Sequence, residues 1–309
     1  MSGKSEQRMV DSGVHWWDLE KNYYPWLMDK KSDSDSSGLA GAATMGKTYL
    51  AKQYLEDAKG YDIRKVVHVE AVWDPSDSLG ETKWLHEIAA NGADAGLIGA
   101  VVGFANLARP DREELLAGHA SYPLVRTIRH MLNRLEDNPA LCWADQDFTL
   151  NPDWIAGFGL LEKYGLGFDL MCFSNMMHRM ADLAHKHPNT LIVLEHTGMP
   201  HEHNAEGRKR WGAGMRALAA NENVVAKISG LGNTIPNWTE DLFRPYVLET
   251  IEIFGIDRVM FGSNFPTDRQ FSSFDTLYGA FLSITRNFSH GERDKVFAAN
   301  AIRHYRMQL

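Results

Sequence analysis

Cysteine is scarce in this 309-residue chain, with Cys142 and Cys172 the only two. Two thiols cannot build a disulfide framework, and so few fit a reducing cytosol. Long apolar runs are missing as well. Nothing approaches the ~18 residues that a membrane-crossing helix needs, and the polar N-terminus has no apolar signal-peptide core. The expected location is therefore cytoplasmic, with no membrane partner. Positive charge is outnumbered, 32 Lys and Arg against 40 Asp and Glu, for a formal charge of -8. No basic stripe exists to displace counterions, which excludes a general nucleic-acid partner. Neither a dinucleotide fingerprint nor a phosphate loop follows the first predicted strand.

What is present is the composition of a soluble globular protein, 44% hydrophobic and 23% charged. Apolar, β-branched runs alternate with segments of helical spacing. Strands are predicted over residues 8–13, 65–70, 97–104, 124–129, 166–171, 191–195, 223–229 and 257–262. Length alone weakly favours two domains. Eight strand-helix pairs without an internal linker instead predict a single (β/α)8 TIM barrel over residues 1–309, with room for local distortion. Residues 29–47, rich in Ser, Asp, Gly and Ala, interrupt the rhythm and read as a flexible loop after the first strand.

In a parallel barrel the C-terminal strand ends converge, so polar residues just after apolar runs become neighbours. This rule nominates His15, His68 with Glu70, Arg126 or Arg129 with His130, Asp169, His196, Lys227 with Ser229, and Asn264. His68 and Glu70 share strand parity, so both would face the axis. Arg126 and Arg129 differ in parity, and a regular strand turns only one of them inward. Asp169 would equally serve as a helix cap, and Lys227 as the partner of a neighbouring carboxylate. Near the N-terminus Asp11, Gly13 and His15 would share a face. A histidine at 13 would complete a metal-binding His-x-His pair, and glycine offers no donor.

Six segments carry a family likeness: Asp11-Ser12-Gly13-Val14-His15-Trp16-Trp17-Asp18, Gly80-Glu81-Thr82-Lys83-Trp84-Leu85, Val125-Arg126-Thr127-Ile128-Arg129-His130, Glu195-His196-Thr197-Gly198-Met199-Pro200, Lys227-Ile228-Ser229-Gly230-Leu231 and Met260-Phe261-Gly262-Ser263-Asn264-Phe265-Pro266. In this order the chain resembles the amidohydrolase superfamily from about residue 8 to its end. The likeness is to the branch of TIM-barrel hydrolases that includes sugar-acid lactonases and 2-pyrone-4,6-dicarboxylate lactonase. Two departures stand out. Gly13 replaces the first histidine of the family's Asp-x-His-x-His, and Asn264 occupies the position of its last aspartate. An amide is neither a general base near neutral pH nor a strong ligand. His15 and His196 alone remain as good ligands, so the resemblance implies a weak or absent metal site, with a weakly held divalent ion such as Zn2+ as the candidate cofactor.

The resemblance implies hydrolysis of a lactone or similar cyclic ester of a small organic or sugar acid, either anionic or polyhydroxylated. His15, His196, Asn264 and Glu70 are the expected catalytic residues. Arg126, Arg129, His130 and Lys227 are the expected substrate contacts, a guanidinium anchoring a carboxylate. Water activation falls to a histidine ahead of Glu70, Asp268 or metal-bound hydroxide. The alternatives are an aromatic-acid decarboxylase of the same superfamily and a non-catalytic ligand-binding barrel. A homo-oligomer is compatible with the sequence. The aromatics Trp16, Trp17, Tyr23, Tyr24 and Trp26 would line a pocket, pack beneath it or form an interface.

Overall fold

The computed structural model describes residues 7–29, 45–91 and 96–308. Most of the predicted flexible loop, residues 30–44, lies outside the described residues. Eight strands form one parallel sheet in sequence order: β1 (Arg8–Val14), β2 (Asp62–Val69), β3 (Ile98–Phe104), β4 (Val125–Met131), β5 (Gly167–Met171), β6 (Ile192–Leu194), β7 (Val224–Ile228) and β8 (Val259–Phe261). Each strand is followed by a helix: α1 (Ala51–Asp57), α2 (Gly80–Asn91), α3 (Arg112–Ala120), α4 (Pro152–Phe158), α5 (Ser174–Lys186), α6 (Ala205–Ala219), α7 (Glu240–Phe254) and α8 (Phe274–Ile284). The result is a (β/α)8 barrel.

Closure between β8 and β1 uses the segment just beyond β8. Ser12 Oγ donates to the Phe261 carbonyl at 2.8 Å, and the Asn264 amide donates to the Gly13 carbonyl at 2.8 Å. His15 N–H donates to the Phe265 carbonyl at 2.8 Å. These bonds hold His15 and Asn264 side by side.

Inward-facing Val67, Val69, Val102, Val193, Val225 and Met260 pack with Tyr305 and Met307 from the C-terminal segment, which fill the barrel from the side of the strand beginnings. Outward strand residues pack on the helices. In α5 the buried positions Met176, Met177, Met180, Ala181 and Ala184 recur at three- and four-residue spacing, forming one apolar stripe. Local capping fixes where helices begin. Asn151 accepts from the Asp153 amide ahead of α4, with Pro152 at its first position, and Asn204 accepts from Gly207 ahead of α6.

The barrel is locally irregular at its first strand. Register shifts between Asp11 and Val14, so the alternation that would put Asp11 and His15 on one face fails. The Asp11 carboxylate instead accepts from Tyr54 on α1 at 2.9 Å and from the Ser263 amide at 2.8 Å.

Candidate active site

At the C-terminal strand ends a pocket of about 490 Å3, its open mouth included, is lined by His15, Glu70, Arg129, His196 and Asn264 among polar groups. Its walls are aromatic and thioether side chains, Trp17, Trp26, Trp143, Met131, Met171 and Met199. Four strands thus contribute from positions 15, 70, 129 and 196, and the turn after β8 supplies Asn264. Trp16 and Tyr24 are buried, and Tyr23 is exposed.

Backbone strain concentrates on this rim. His196, Thr197, Gly198 and Met199 all have positive φ, at 53°, 57°, 65° and 44°, a single left-handed turn. For a β-branched residue such as Thr197 this conformation is disfavoured by ~1–3 kcal/mol. Surrounding bonds hold it: Met199 N–H donates to the His196 carbonyl at 2.8 Å, and Trp211 Nε1 on α6 donates to the Thr197 carbonyl at 2.8 Å. The His196 ring lies against Gly230, where an added Cβ would come within 2.3 Å of Nδ1. Only glycine fits there, and Gly230 itself has φ 59°. His196 Nδ1 lies 3.1 Å from Ser229 Oγ. Its Nε2 is 4.0 Å from Glu195, beyond hydrogen-bond reach.

Beneath the pocket lies a buried ion network. Arg129 bonds Glu70 through Nε at 2.7 Å and Glu195 through Nη1 at 2.9 Å, while its Nη2 reaches the Glu70 carbonyl at 2.7 Å. Lys227 contacts Asp169 at 2.6 Å and Glu195 at 3.3 Å. Tyr305 also donates to Asp169, at 2.7 Å. Burial raises Glu195, but Arg129 and Lys227 outweigh it and hold this carboxyl well below the usual range. Burial pushes His196 down to about 4 and lowers His15, so both rings are neutral at neutral pH.

The predicted residues therefore separate. His15, Glu70, Arg129, His196 and Asn264 meet in the pocket. Arg126 does not: it sits at the start of β4, turned outward, with Nε donating to the Tyr305 carbonyl at 3.0 Å. His130 alternates to the outer face, where its Nδ1 accepts from Trp154 on α4 at 3.1 Å and its ring packs on Phe148. Lys227 faces inward below the pocket, with its ammonium committed to carboxylates. His68 does not share the axis with Glu70. Val67 and Val69 point inward, His68 turns out to accept from the Trp16 amide at 2.9 Å, and Glu70 enters the pocket only because it follows the end of β2.

The donors present do not fit a metal ion. His15 Nδ1 faces the Val69 and Glu70 carbonyls and its Nε2 faces Asn264, so neither nitrogen has a lone pair directed at open space. Among the described residues no three His, Cys, Asp or Glu side chains converge as a metal site. Gly13 supplies nothing, although an added Cβ there would meet no atom within 4 Å.

Sequence reasoning overlooked Glu195 and the Trp143 and Met walls. The parity that Glu195, just past the end of β6, shares with Val193 is the available signal for the former. That His196 also reaches the pocket, one residue later, follows from the left-handed turn, which no spacing rule anticipates.

The amidohydrolase family model matches residues 10–307. The chain belongs to the amidohydrolase family. Uncharacterized protein y4mH of Sinorhizobium fredii (strain NBRC 101917 / NGR234) is 39% identical over 98% of this chain and 100% of its own length. An L-fucono-1,5-lactonase of Burkholderia ambifaria is 32% identical over 74% of this chain and 76% of its own. The fold is that of an amidohydrolase from Burkholderia multivorans crystallised with bound zinc, with a TM-score of 0.78 at 24% identity, covering 97% of this chain and 99% of that one. As an amidohydrolase of lactonase-like sequence, this chain is a hydrolase. No helix among the described residues is long and apolar enough to cross a membrane.

Proposed function

We propose that this amidohydrolase opens the ring of a neutral, hydroxyl-bearing lactone of a sugar acid. The observation that carries this reading is the pairing of Arg129 with two buried glutamates. It is the one Lys or Arg side chain lining the pocket among the described residues, and Glu70 and Glu195 already pair with its charge through Nε and Nη1. A lactone bearing carboxylates would meet the Glu70 side chain, with the guanidinium charge already matched by two carboxylates. Sugar hydroxyls can instead donate to the remaining carboxylate lone pairs, while Trp17, Trp26 and Trp143 offer flat faces to the C–H side of a ring. The similarity to L-fucono-1,5-lactonases supports the same substrate class.

His196 is the water-activating base. Ser229 orients its Nδ1, and Nε2 is left without a hydrogen-bond partner. Water attacks the lactone carbonyl carbon as its proton passes to Nε2, and the carbonyl π pair moves onto oxygen. Collapse breaks the bond to the ring oxygen, which takes the proton from His196 and leaves as the hydroxyl of the open acid. Asn264 lines the pocket, and its amide nitrogen has a second N–H beyond the one given to Asp268, which receives the carbonyl oxygen. An aromatic-acid decarboxylase would need a cation for the departing carboxylate, which Arg129 does not offer.

A panel of neutral sugar 1,5-lactones, carboxylate-bearing lactones and aromatic acids, monitored by acidification and by carbon dioxide release, tests the reading. Acidification with the neutral lactones is expected. Preference for charged lactones or gas release would overturn it. Stabilisation by lactones without turnover would mark a binding barrel instead.

A further inference from the structure

A second chamber opens beside the pocket, at the same end of the barrel. It measures about 740 Å3 with its open mouth included, and the loops after β4, β5, β6, β7 and β8 build it. The two chambers are continuous, because Trp143, Met199 and Asn233 line both. Opening a single lactone ring uses only the first.

Among the described residues no Lys, Arg, Asp or Glu lines the second chamber, and burial lowers its one titratable ring, His201, whose centre lies 4.6 Å from that of Phe173. An anionic substituent would find no cation there. What the chamber offers is acceptors. Asn233 Nδ2 donates to the Gly230 carbonyl at 3.1 Å and Gln270 Nε2 to the Thr267 carbonyl at 3.0 Å. Carbonyls only accept, so each amide nitrogen is fixed in place and each amide oxygen is the end left over. Neither oxygen has a hydrogen-bond partner among the described residues. Thr234 spends its hydroxyl hydrogen on the Leu231 carbonyl at 3.3 Å, which leaves its oxygen accepting as well. Beside these acceptors stand the part-exposed rings of Trp143 and Phe271. Phe271 fits because residue 232 is glycine: an added Cβ there would come within 2.5 Å of the ring.

We infer that this chamber receives a second sugar ring, so that the substrate is the uncharged 1,5-lactone of a disaccharide acid. The inference rests on the lactonase reading and narrows its substrate class. Uncharged acceptors call for hydroxyl donors, and a pyranose supplies several around its rim while its C–H faces pack on aromatic rings. An apolar substituent would cover the same oxygens without giving them a partner, which is unfavourable. Trp143, Met199 and Asn233, shared by both chambers, flank the glycosidic link. Water opens the lactone in the first chamber and leaves the glycosidic bond intact. The product is the open disaccharide acid.

Initial rates with glucono-, lactobiono- and melibiono-1,5-lactone, the last two carrying galactose on different hydroxyls, provide the test. They are compared in wild type, in His201→Trp, which fills the chamber, and in Gln270→Leu, which removes an acceptor at similar bulk. Wild type is expected to show a kcat/KM at least ~10-fold higher for one of the disaccharide lactones than for gluconolactone, mainly through KM. His201→Trp should bring that ratio to about one or below, and Gln270→Leu should lower it by ~3-fold or more. Turnover of gluconolactone with a ratio of about one or less for both disaccharides overturns the inference and leaves the lactonase reading standing. A wild-type preference that both variants retain overturns it too. Should one variant not fold by circular dichroism, the other decides. Isothermal titration calorimetry with lactose and melibiose against glucose and galactose reads the chamber without catalysis. A disaccharide should bind ~10-fold or more tightly than either monosaccharide in wild type, and not in His201→Trp. If wild type opens no lactone, the lactonase reading falls and the calorimetry still decides whether a second ring is bound, equal affinities overturning it.

Discussion

Replacing Arg129 by methionine isolates the forces under the pocket. The side chain is 5% exposed and each glutamate side chain 1%, so its removal leaves two buried carboxylates without their shared cation. Breaking a buried pair in this way destabilises by ~3–5 kcal/mol, chiefly because the remaining charge is unpaired. Unfolding entropy of ~2.1 cal/mol/K per residue gives ~0.65 kcal/mol/K for the 309 residues. The expected loss is thus ~5–8 °C in Tm at pH 7.5. The deficit must also depend on pH. Burial raises Glu195, but Arg129 and Lys227 hold it well below the usual carboxylate range. Its contribution is therefore full above the unfolded value and lost as pH falls. In Arg129→Met the Glu195 pKa rises, so the deficit should be largest at pH 7–8 and narrow as the solution is acidified. Adding Glu70→Gln and Glu195→Gln should recover part of the loss by removing the orphaned charges. Thermal unfolding by circular dichroism at pH 4.5, 6 and 7.5 measures all of this. A loss under ~2 °C at pH 7.5, or one independent of pH, would refute the argument that the guanidinium is committed to the two glutamates.

Two further expectations concern the rim. His196→Ala should lower kcat/KM by ~100-fold or more with the fold intact, and the wild-type profile should fall only below about pH 4, as the buried ring gains a proton; near-normal turnover would remove His196 from the chemistry. Gly13→His combined with Asn264→Asp should bring bound zinc up to about one ion per chain by elemental analysis. The space beside Gly13 is open and aspartate tolerates the left-handed backbone at Asn264, φ 57°; zinc content unchanged from wild type would reject the assignment of these two positions as the missing ligands.

Period-two apolar runs, helical spacing between them and polar residues at the run ends are local properties, and they sufficed for the eight strands and for His15, Glu70, Arg129, His196 and Asn264 as one group. Parity narrowed the arginines to one, and only the observed strand β4 shows which: Arg129 turns in, while Arg126 is drawn out to the Tyr305 carbonyl. Parity also misled where the backbone departs from a regular strand. The bulge in β1 turns Asp11 away from His15. The end of β2 frees Glu70 from the alternation that sends His68 outward, and the left-handed turn brings His196 in directly after inward Glu195.

The sequence by itself determined the barrel, because each strand and helix is specified by neighbours within a few residues. It also determined that positions 13 and 264 carry no strong metal donor, since a missing donor atom is a matter of residue identity. Only the tertiary structure decided what the retained charges do. Arg129 is paired with carboxylates 59 and 66 positions away, and Asn264 reaches His15 across a closure of 249 positions. Hydrogen-bond capacity is finite and directional, so a residue type says what a group can offer, and only its partners in space determine what remains for a substrate.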